Sequence, residues 1–200
     1  MNFIDNIQNI DVRLLIGIQR ELNADWFTPI MKAFTFLGEK GLVWIAICVL
    51  LLLFSKTRRL GIACTAALVL TFISCNLILK PLIDRPRPWI AFDEVQRFLP
   101  HPGDPSFPSG HSANFMGPAW AWFLFARNQK VHTDTIKNSN VKIMNRLGVV
   151  LVIIGIIVGF SRLYLGMHYP TDVLFGLLLG VLCATITNVF ITKIFSKGCL

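Results

Sequence analysis

Long apolar stretches separated by short polar segments constrain this chain more than any other feature. They lie at about residues 41–55, 60–79, 111–126, 146–160 and 172–195. A helix needs about 20 apolar residues to cross the hydrocarbon core of a bilayer. Hydrophobic residues make up 54% of the chain and charged residues 15%, a balance that excludes an ordinary soluble protein. The sequence therefore predicts one domain over residues 1–200, an all-α integral membrane bundle.

The apolar stretches predict five spans. Two of them, 41–55 and 111–126, are short for a bilayer, so we expect the flanking segment 26–37 and the loop ends to extend them or to dip into the outer leaflet. The N-terminal segment 1–24 alternates apolar side chains such as Val12 and Leu15 with charged ones such as Asp11 and Arg13. This pattern predicts a short interfacial helix that lies on the membrane.

The orientation of the spans follows from the distribution of basic residues. Alternate connections and the C-terminal tail carry ten basic residues and a single acid, Asp134; the ten are Lys56, Arg58, Arg59, Arg127, Lys130, Lys137, Lys142, Arg146, Lys193 and Lys197. Positive charge marks the cytoplasmic side of membrane proteins. We therefore expect a multi-pass protein of the cell membrane with its N-terminus outside and its C-terminus in the cytoplasm. The net charge of +8 reflects this topology and does not indicate nucleic acid.

Two connections between spans differ in character. The segment 80–110 is extracytoplasmic in this topology, and its seven prolines prevent a continuous helix. It is the predicted active-site loop. The cytoplasmic segment 127–146 is polar and lacks apolar periodicity, so it is predicted to be a solvated linker.

Three polar clusters stand at the outer ends of the spans. Lys80 and Arg87 follow the second stretch, a Ser109-Gly110-His111 sequence begins the third, and a cluster around the end of the fourth and the start of the fifth holds Arg162, His168 and Asp172. The predicted topology brings all three clusters to one membrane face. Residues far apart in the sequence are therefore expected to form one site.

The cations of these clusters suit a phosphate group. Arg87 and Arg162 offer forked donors and Lys80 a point charge, which together match a phosphate dianion. Ser109 is a plausible N-cap, so the free N–H groups of the helix that follows can add anion contacts. Gly110 lets the backbone approach a ligand closely.

Two histidines supply what phosphoryl transfer without a metal requires: one side chain attacks phosphorus and the other protonates the leaving oxygen. Asp172 follows His168 by four residues and can orient its ring. Simpler interpretations stay open at this stage: loop arginines that bind headgroups (Arg85, Arg87, Arg97), a helix cap at Ser109, a first-turn acid at Asp172 and an interfacial polar residue at His168. The five cysteines have no metal-ligand spacing, and no metal site is predicted.

The spacing of these residues matches three motifs in order. Lys80 and Arg87-Pro88 match K-x6-R-P, Pro108 to His111 match P-S-G-H, and Ser161-Arg162 with His168 and Asp172 match S-R-x5-H-x3-D. Together they resemble the type 2 phosphatidic acid phosphatase family, whose site is similar to that of the vanadium haloperoxidases. The resemblance covers about residues 25–182.

The resemblance implies a role for each matching position. Phosphate would be bound by Lys80, Arg87, Ser109, Gly110 and Arg162, while catalysis would fall to His168, His111 and Asp172. In that scheme His168 forms a phosphohistidine, Asp172 supports it, and His111 acts as acid and then as base. The family uses no metal or other cofactor. Its lipid-phosphatase branch mostly has six spans, which implies an additional helix within residues 2–37.

The resemblance also implies a lipid phosphate substrate in the bilayer. We favour undecaprenyl diphosphate, because an external site suits a carrier lipid released there. Phosphatidylglycerophosphate and phosphatidate are the alternatives within enzymes. A protein that binds or translocates lipid phosphates without catalysis is the alternative of another class, and a haloperoxidase is disfavoured by the apolar bundle. The oligomeric state stays open.

Overall fold

Helices form all the regular structure in the described part of the chain. The computed structural model describes residues 3–22, 24–132 and 139–196. The helices are α1 (Phe3–Leu22), α2 (Phe27–Leu37), α3 (Leu42–Leu53), α4 (Arg58–Phe72), α5 (Lys80–Ile83), α6 (Pro88–Ala91), α7 (Gly110–His132), α8 (Ser139–Tyr164) and α9 (Pro170–Ser196). A 3-10 turn, Glu39–Gly41, joins α2 to α3, and a π-helical segment, Ile73–Leu79, joins α4 to α5. The prediction of an all-α bundle is confirmed.

Four helical segments of the described residues are long and apolar enough to cross a membrane: Phe27–Leu53, Arg58–Ala91, Asn140–Tyr164 and Pro170–Lys193. The short stretch predicted at 41–55 is extended by α2, as expected for the flanking segment. The two helices meet at a kink where Lys40 (φ 48°) and Gly41 (φ 69°) adopt left-handed backbone conformations. The chain is therefore a multi-pass membrane protein, as predicted.

The remaining predicted span, 111–126, lies within α7. This helix has 23 residues, enough to cross a bilayer, but its first turns carry polar side chains such as Ser112 and Asn114, both buried. It packs against α4, α8 and α9. Because other helices surround α7, protein rather than lipid covers its polar residues. By length and composition α7 is not among the four apolar segments, so the fifth predicted span stays a prediction.

Small residues let α7 and α9 approach closely. A Cβ atom added at Gly176 would lie 2.6 Å from the carbonyl oxygen of Ser109, and one added at Gly180 would lie 2.8 Å from that of Ala113. Such close approaches require glycine. The contact fixes the first turns of α7 and α9 side by side, and these turns carry His111 and Asp172.

The segment predicted as a cytoplasmic linker, 127–146, is largely helical. Its first residues continue α7 to His132, and its last residues belong to α8 from Ser139 onward. Residues 133–138 lie outside the described part of the chain. The predicted linker therefore included too many residues, because the backbone hydrogen bonds of a helix can continue through polar residues that show no apolar periodicity.

The N-terminal segment, predicted to be an interfacial helix, contains helix α1, which packs against α8 and α9. Ile10 and Leu14 are exposed, whereas Val12 and Leu15 are buried against the bundle. Asp11 is also buried, with 1% of its surface exposed. Residues 2–37 thus supply one additional helix, α1, and the first part of the first span, α2.

Candidate active site

The predicted site residues converge at one end of the bundle. Six of the eight line a single cavity of about 310 Å³: Lys80, Arg87, Gly110, His111, Arg162 and His168. Glu39 of the kink and Asn76 of the π-helical segment complete its walls. The other two predicted residues, Ser109 and Asp172, are fully buried behind it. The three polar clusters of the sequence therefore form one site.

His168 lies in the short connection between α8 and α9 and is almost completely buried. Its Nε2 atom is 3.2 Å from Nη1 of Arg87. A guanidinium group only donates hydrogen bonds, so Nε2 accepts and the ring proton lies on Nδ1. Burial lowers the pKa of His168 well below its usual value, and the charge of Arg87 lowers it further. The ring is therefore neutral, with a lone pair on the side of the cations.

Asp172 supports the other ring nitrogen of His168. Its Oδ2 atom lies 3.5 Å from Nδ1 and accepts hydrogen bonds from the Ser106 hydroxyl at 2.5 Å and the Tyr169 amide at 3.0 Å. Its Oδ1 atom accepts from Nη1 of Arg85 at 2.6 Å. The carboxylate is thus fixed on the first turn of α9, where it can orient an imidazole.

Arg87 and Lys80 share one carboxylate, that of Asp104. Nη2 of Arg87 donates to Oδ1 of Asp104 at 2.7 Å, and Lys80 contacts Oδ2. Partial burial raises the pKa of Asp104, but the hydrogen bonds and charges of Lys80 and Arg87 outweigh this effect and hold it at about 2. Asp104 is therefore an anion held by two of the three predicted phosphate-binding cations. Their spacing suits bidentate contact with two oxygens of one group.

Arg162, the third cation, is buried near the end of α8. Its Nη1 donates to the Thr35 hydroxyl at 2.7 Å, which ties it to α2. Its Nε has no hydrogen-bond partner within the described residues. A buried guanidinium with unused donor capacity at a cavity wall is suited to an anionic ligand.

His111, on the first turn of α7, pairs with Glu39. Its Nε2 lies 3.3 Å from Oε2 of Glu39, which comes from the kink between α2 and α3. The side chains are 18% and 43% exposed, respectively. Each predicted catalytic histidine thus has its own carboxylate, one buried and one open to the cavity.

Ser109 and Gly110 begin α7. The Ser109 hydroxyl accepts from the Ser112 amide at 3.4 Å and the Ser112 hydroxyl at 2.8 Å, so it occupies the position expected of an N-cap. Gly110 does line the cavity, and a Cβ atom there would lie 2.9 Å from Oδ1 of Asn76. Gly110 is thus a tightly packed part of the cavity wall, whereas the Ser109 side chain is engaged at the start of its own helix.

Sequence reasoning missed four residues that contact the predicted site and one, Asp11, that contacts one of the four; the four are Glu39, Arg85, Asp104 and Ser106. The proline-rich segment 80–110, which was singled out, contains three of them. Arg85 was considered only as a loop charge, although its guanidinium donates to Asp172. In the sequence, Glu39 is recognisable only as an acid next to Lys40 and Gly41, and Asp11 only as an acid in a segment of mixed polarity. Neither signal identifies a partner.

A family model described as the PAP2 superfamily matches residues 59–196. The chain belongs to the PAP2 superfamily. The matched residues include every predicted site residue and exclude α1, α2 and α3. The predicted resemblance to the type 2 phosphatidic acid phosphatases is thereby confirmed.

Other PAP2 proteins resemble the chain over most of its length. It is 30% identical over 191 residues to an undecaprenyl-diphosphatase of Sulfolobus acidocaldarius, covering 90% of this chain and 79% of that protein. It is 31% identical over 154 residues to undecaprenyl-diphosphatase BcrC of Bacillus subtilis, covering 74% and 67%. The crystal structure of a PAP2-type phosphatidylglycerolphosphate phosphatase from Bacillus subtilis superposes with a TM-score of 0.76 at 26% identity, covering 94% and 88%. The prediction of a membrane phosphatase of this family is confirmed.

Proposed function

We propose that this PAP2 protein removes a phosphate group from a membrane lipid at the extracytoplasmic face, without a metal, through a phosphohistidine on His168. The contact between Nε2 of His168 and the Arg87 guanidinium, 3.2 Å, carries the proposal. It puts a neutral, nucleophilic nitrogen beside the cations that would hold the phosphate. A site that only bound anions would gain nothing from a lone pair in that position.

The geometry supports a two-step reaction. The phosphate binds Lys80, Arg87 and Arg162, and Nε2 of His168 attacks phosphorus. The N–P bond forms as the bond to the lipid oxygen breaks, and His111 gives that oxygen a proton. Asp172 stabilises the positive charge that develops on the ring of His168.

In the second step His111 accepts a proton from water as the water attacks the phosphohistidine. The N–P bond breaks, inorganic phosphate is released, and His168 returns to its neutral state. The three cations stabilise the charge on the equatorial oxygens in both transition states, a task that a bound metal carries out in many other phosphatases.

Undecaprenyl diphosphate is the substrate that we favour. Two relatives that cover much of this chain bear the name undecaprenyl-diphosphatase. Phosphatidylglycerophosphate is the second candidate, and the Bacillus subtilis phosphatase of similar structure supports it. The buried pair of His168 and Asp172 argues against a protein that only binds or translocates lipids, because binding needs cations and not an oriented nucleophile.

Phosphate release from the purified protein in detergent tests this proposal. With excess EDTA present, we expect release from undecaprenyl diphosphate with a higher kcat/KM than from phosphatidylglycerophosphate or phosphatidate, and inhibition by vanadate. The matched control is His168→Ala, which should be inactive on all three. Activity lost in EDTA and restored by magnesium or zinc would contradict the metal-free mechanism. A higher kcat/KM for phosphatidylglycerophosphate would contradict the proposed substrate and leave the proposed mechanism intact.

The extracytoplasmic face needs a separate test. Cysteines introduced at two exposed positions, His101→Cys beside the cavity and Asn140→Cys near the start of α8, are treated with a membrane-impermeant thiol reagent in intact cells. The wild type provides the background from native cysteines. Labelling at position 101 but not at 140 is expected, and the reverse would move the site to the cytoplasm.

A further inference from the structure

A chain of charged groups extends from the catalytic site into the N-terminal helix. Nη1 of Arg85 donates to Oδ1 of Asp172 at 2.6 Å, and Nη2 donates to Oδ2 of Asp11 at 2.7 Å. Asp172 and Asp11 are 0% and 1% exposed, and the Arg85 side chain is 15% exposed. One nearly buried guanidinium thus stands between two buried carboxylates.

Arg85 is held in this position from several sides. Its guanidinium carbon lies 3.9 Å from the centre of the Tyr169 ring, its Nη1 donates to the Thr171 hydroxyl at 2.9 Å, and its Nη2 contacts the Gln8 side chain. Planar stacking and forked donation use properties that arginine has and lysine lacks. The side chain therefore has one well-defined orientation.

Asp11 also holds the first turn of α9. That helix begins with Pro170, which has no N–H, so Thr171 carries its first free amide donor. Oδ1 of Asp11 accepts from this amide at 3.0 Å, and Oδ2 accepts from the Thr171 hydroxyl at 2.5 Å. A side chain of α1 thus caps α9 one residue before Asp172.

A buried carboxylate without a cation takes up a proton, and a second carboxylate nearby strengthens this tendency. In the described part of the chain, the hydrogen-bond donors to the Asp172 side chain are Ser106, Tyr169 and Arg85, with His168 at 3.5 Å. Arg85 is the only cation among them. Arg87 lies on the far side of the His168 ring, and Asp11 adds a second negative charge beyond Arg85.

We propose that Arg85 is a positioning residue that keeps Asp172 ionised and aligned on His168, and that Asp11 of α1 anchors both Arg85 and the start of α9. The inference rests on the proposed function, since it assigns Asp172 to a nucleophilic histidine. It makes α1, which lies outside the residues matched by the family model, a part of the catalytic scaffold.

The test is a double-mutant cycle of Arg85→Gln and Asp11→Asn, read as kcat and KM over a range of pH. Arg85→Gln leaves two uncompensated buried carboxylates, so we expect kcat to fall about 10²-fold, with little change in KM and with the acid limb of the profile moved to higher pH. Asp11→Asn alone should lower kcat about tenfold, because Arg85 and Thr171 lose their anchor.

The sign of the coupling between the two substitutions distinguishes the proposed role of Arg85 and Asp11 from a purely structural one. In the Arg85→Gln background, Asp11→Asn removes one of the two uncompensated charges, so it should raise kcat and move the acid limb back. A purely structural role predicts that the double variant is slower than either single variant, and that result would overturn the proposal. The control is Glu21→Gln, which removes one negative charge at an exposed position of α1, as Asp11→Asn does at a buried one. It should leave kcat and the pH profile unchanged in either background.

Two further measurements separate the causes of failure. Arg85→Lys, which keeps the charge, should restore the acid limb even where kcat stays low; an acid limb as displaced as that of Arg85→Gln would contradict the proposal. Trapping of phosphohistidine in the wild type tests the proposed function on its own. A trapped wild type combined with an unchanged pH profile in Arg85→Gln would overturn this inference alone.

Discussion

The two histidines of the cavity differ most in how their carboxylates are held. Asp172, beside His168, is fully buried and accepts four hydrogen bonds or ion-pair contacts from fixed partners, whereas Glu39, beside His111, is 43% exposed. A nucleophile needs a fixed ring with its lone pair on phosphorus. A group that exchanges protons with leaving oxygens and water needs access to solvent. The burial of each pair thus corresponds to the role proposed for its histidine.

Removal of the buried histidine should have the largest effect. His168→Ala leaves no group to form the covalent intermediate, so kcat should fall by at least about 10⁴-fold on every substrate. Asp172→Asn should be slow but active, because the nucleophile remains while its orientation and charge stabilisation weaken. Steady-state phosphate release measures both. A His168→Ala enzyme close to the wild-type rate would require another nucleophile.

Removal of His111, the less buried histidine, should have an effect that depends on the leaving group. His111→Ala should lower kcat/KM by about 10²–10⁴-fold on an alkyl phosphate such as phosphatidate, whose alkoxide needs a proton to depart. The loss should be smaller on a prenyl diphosphate, which releases a stable phosphate anion, and smaller again on an aryl phosphate. Equal losses on all three substrates would indicate that His111 only binds phosphate, and would contradict its proposed role as the general acid.

Substitution of Glu39 should have a weaker effect that also depends on the leaving group. Glu39→Gln keeps the shape of the side chain but removes the charge that favours a protonated His111, so we expect a loss of about tenfold on alkyl phosphates and little on aryl phosphates. In the His111→Ala background the same change should cost almost nothing. Additive losses would show that Glu39 acts independently of His111. Lys32→Gln, an exposed change on α2, is the control.

Substitution of Asp104 should have the smallest effect, which is on inhibition by inorganic phosphate. Because its pKa is about 2, its carboxylate is charged throughout the usable pH range and competes with phosphate for Lys80 and Arg87. Asp104→Asn should therefore strengthen inhibition by inorganic phosphate several-fold, and equally at pH 5 and pH 8. An inhibition constant that rises in the variant, or a variant-to-wild-type ratio of inhibition constants that differs between these pH values, would contradict competition between Asp104 and phosphate.

The parts of this site that the sequence predicts are those encoded by spacing. Lys80, Arg87, His111, Arg162 and His168 stand at fixed intervals beside the ends of apolar stretches, and the charge of each loop predicts its side of the membrane. The membrane class follows equally from the apolar stretches. Topology alone therefore brings these residues to one end of the bundle, and the described cavity contains all of them.

Tertiary contacts between distant segments could not be predicted. Glu39 reaches His111 across 72 residues through a kink made by two left-handed residues, and Asp11 reaches Thr171 across 160 residues. No local pattern specifies such pairs. The buried position of α7 among three helices was missed for the same reason, because hydropathy reports the environment only when that environment is lipid.

Trapping of the covalent intermediate tests the central claim most directly. His111→Ala should form the phosphohistidine from a labelled prenyl diphosphate, whose leaving group needs little help, but should hydrolyse it slowly because the base for water is gone. Rapid quenching under alkaline conditions followed by peptide mass spectrometry should then find the label on His168 in high yield, and in lower yield in the wild type. A label on another residue, or continued turnover with no labelled protein in either enzyme, would contradict the account.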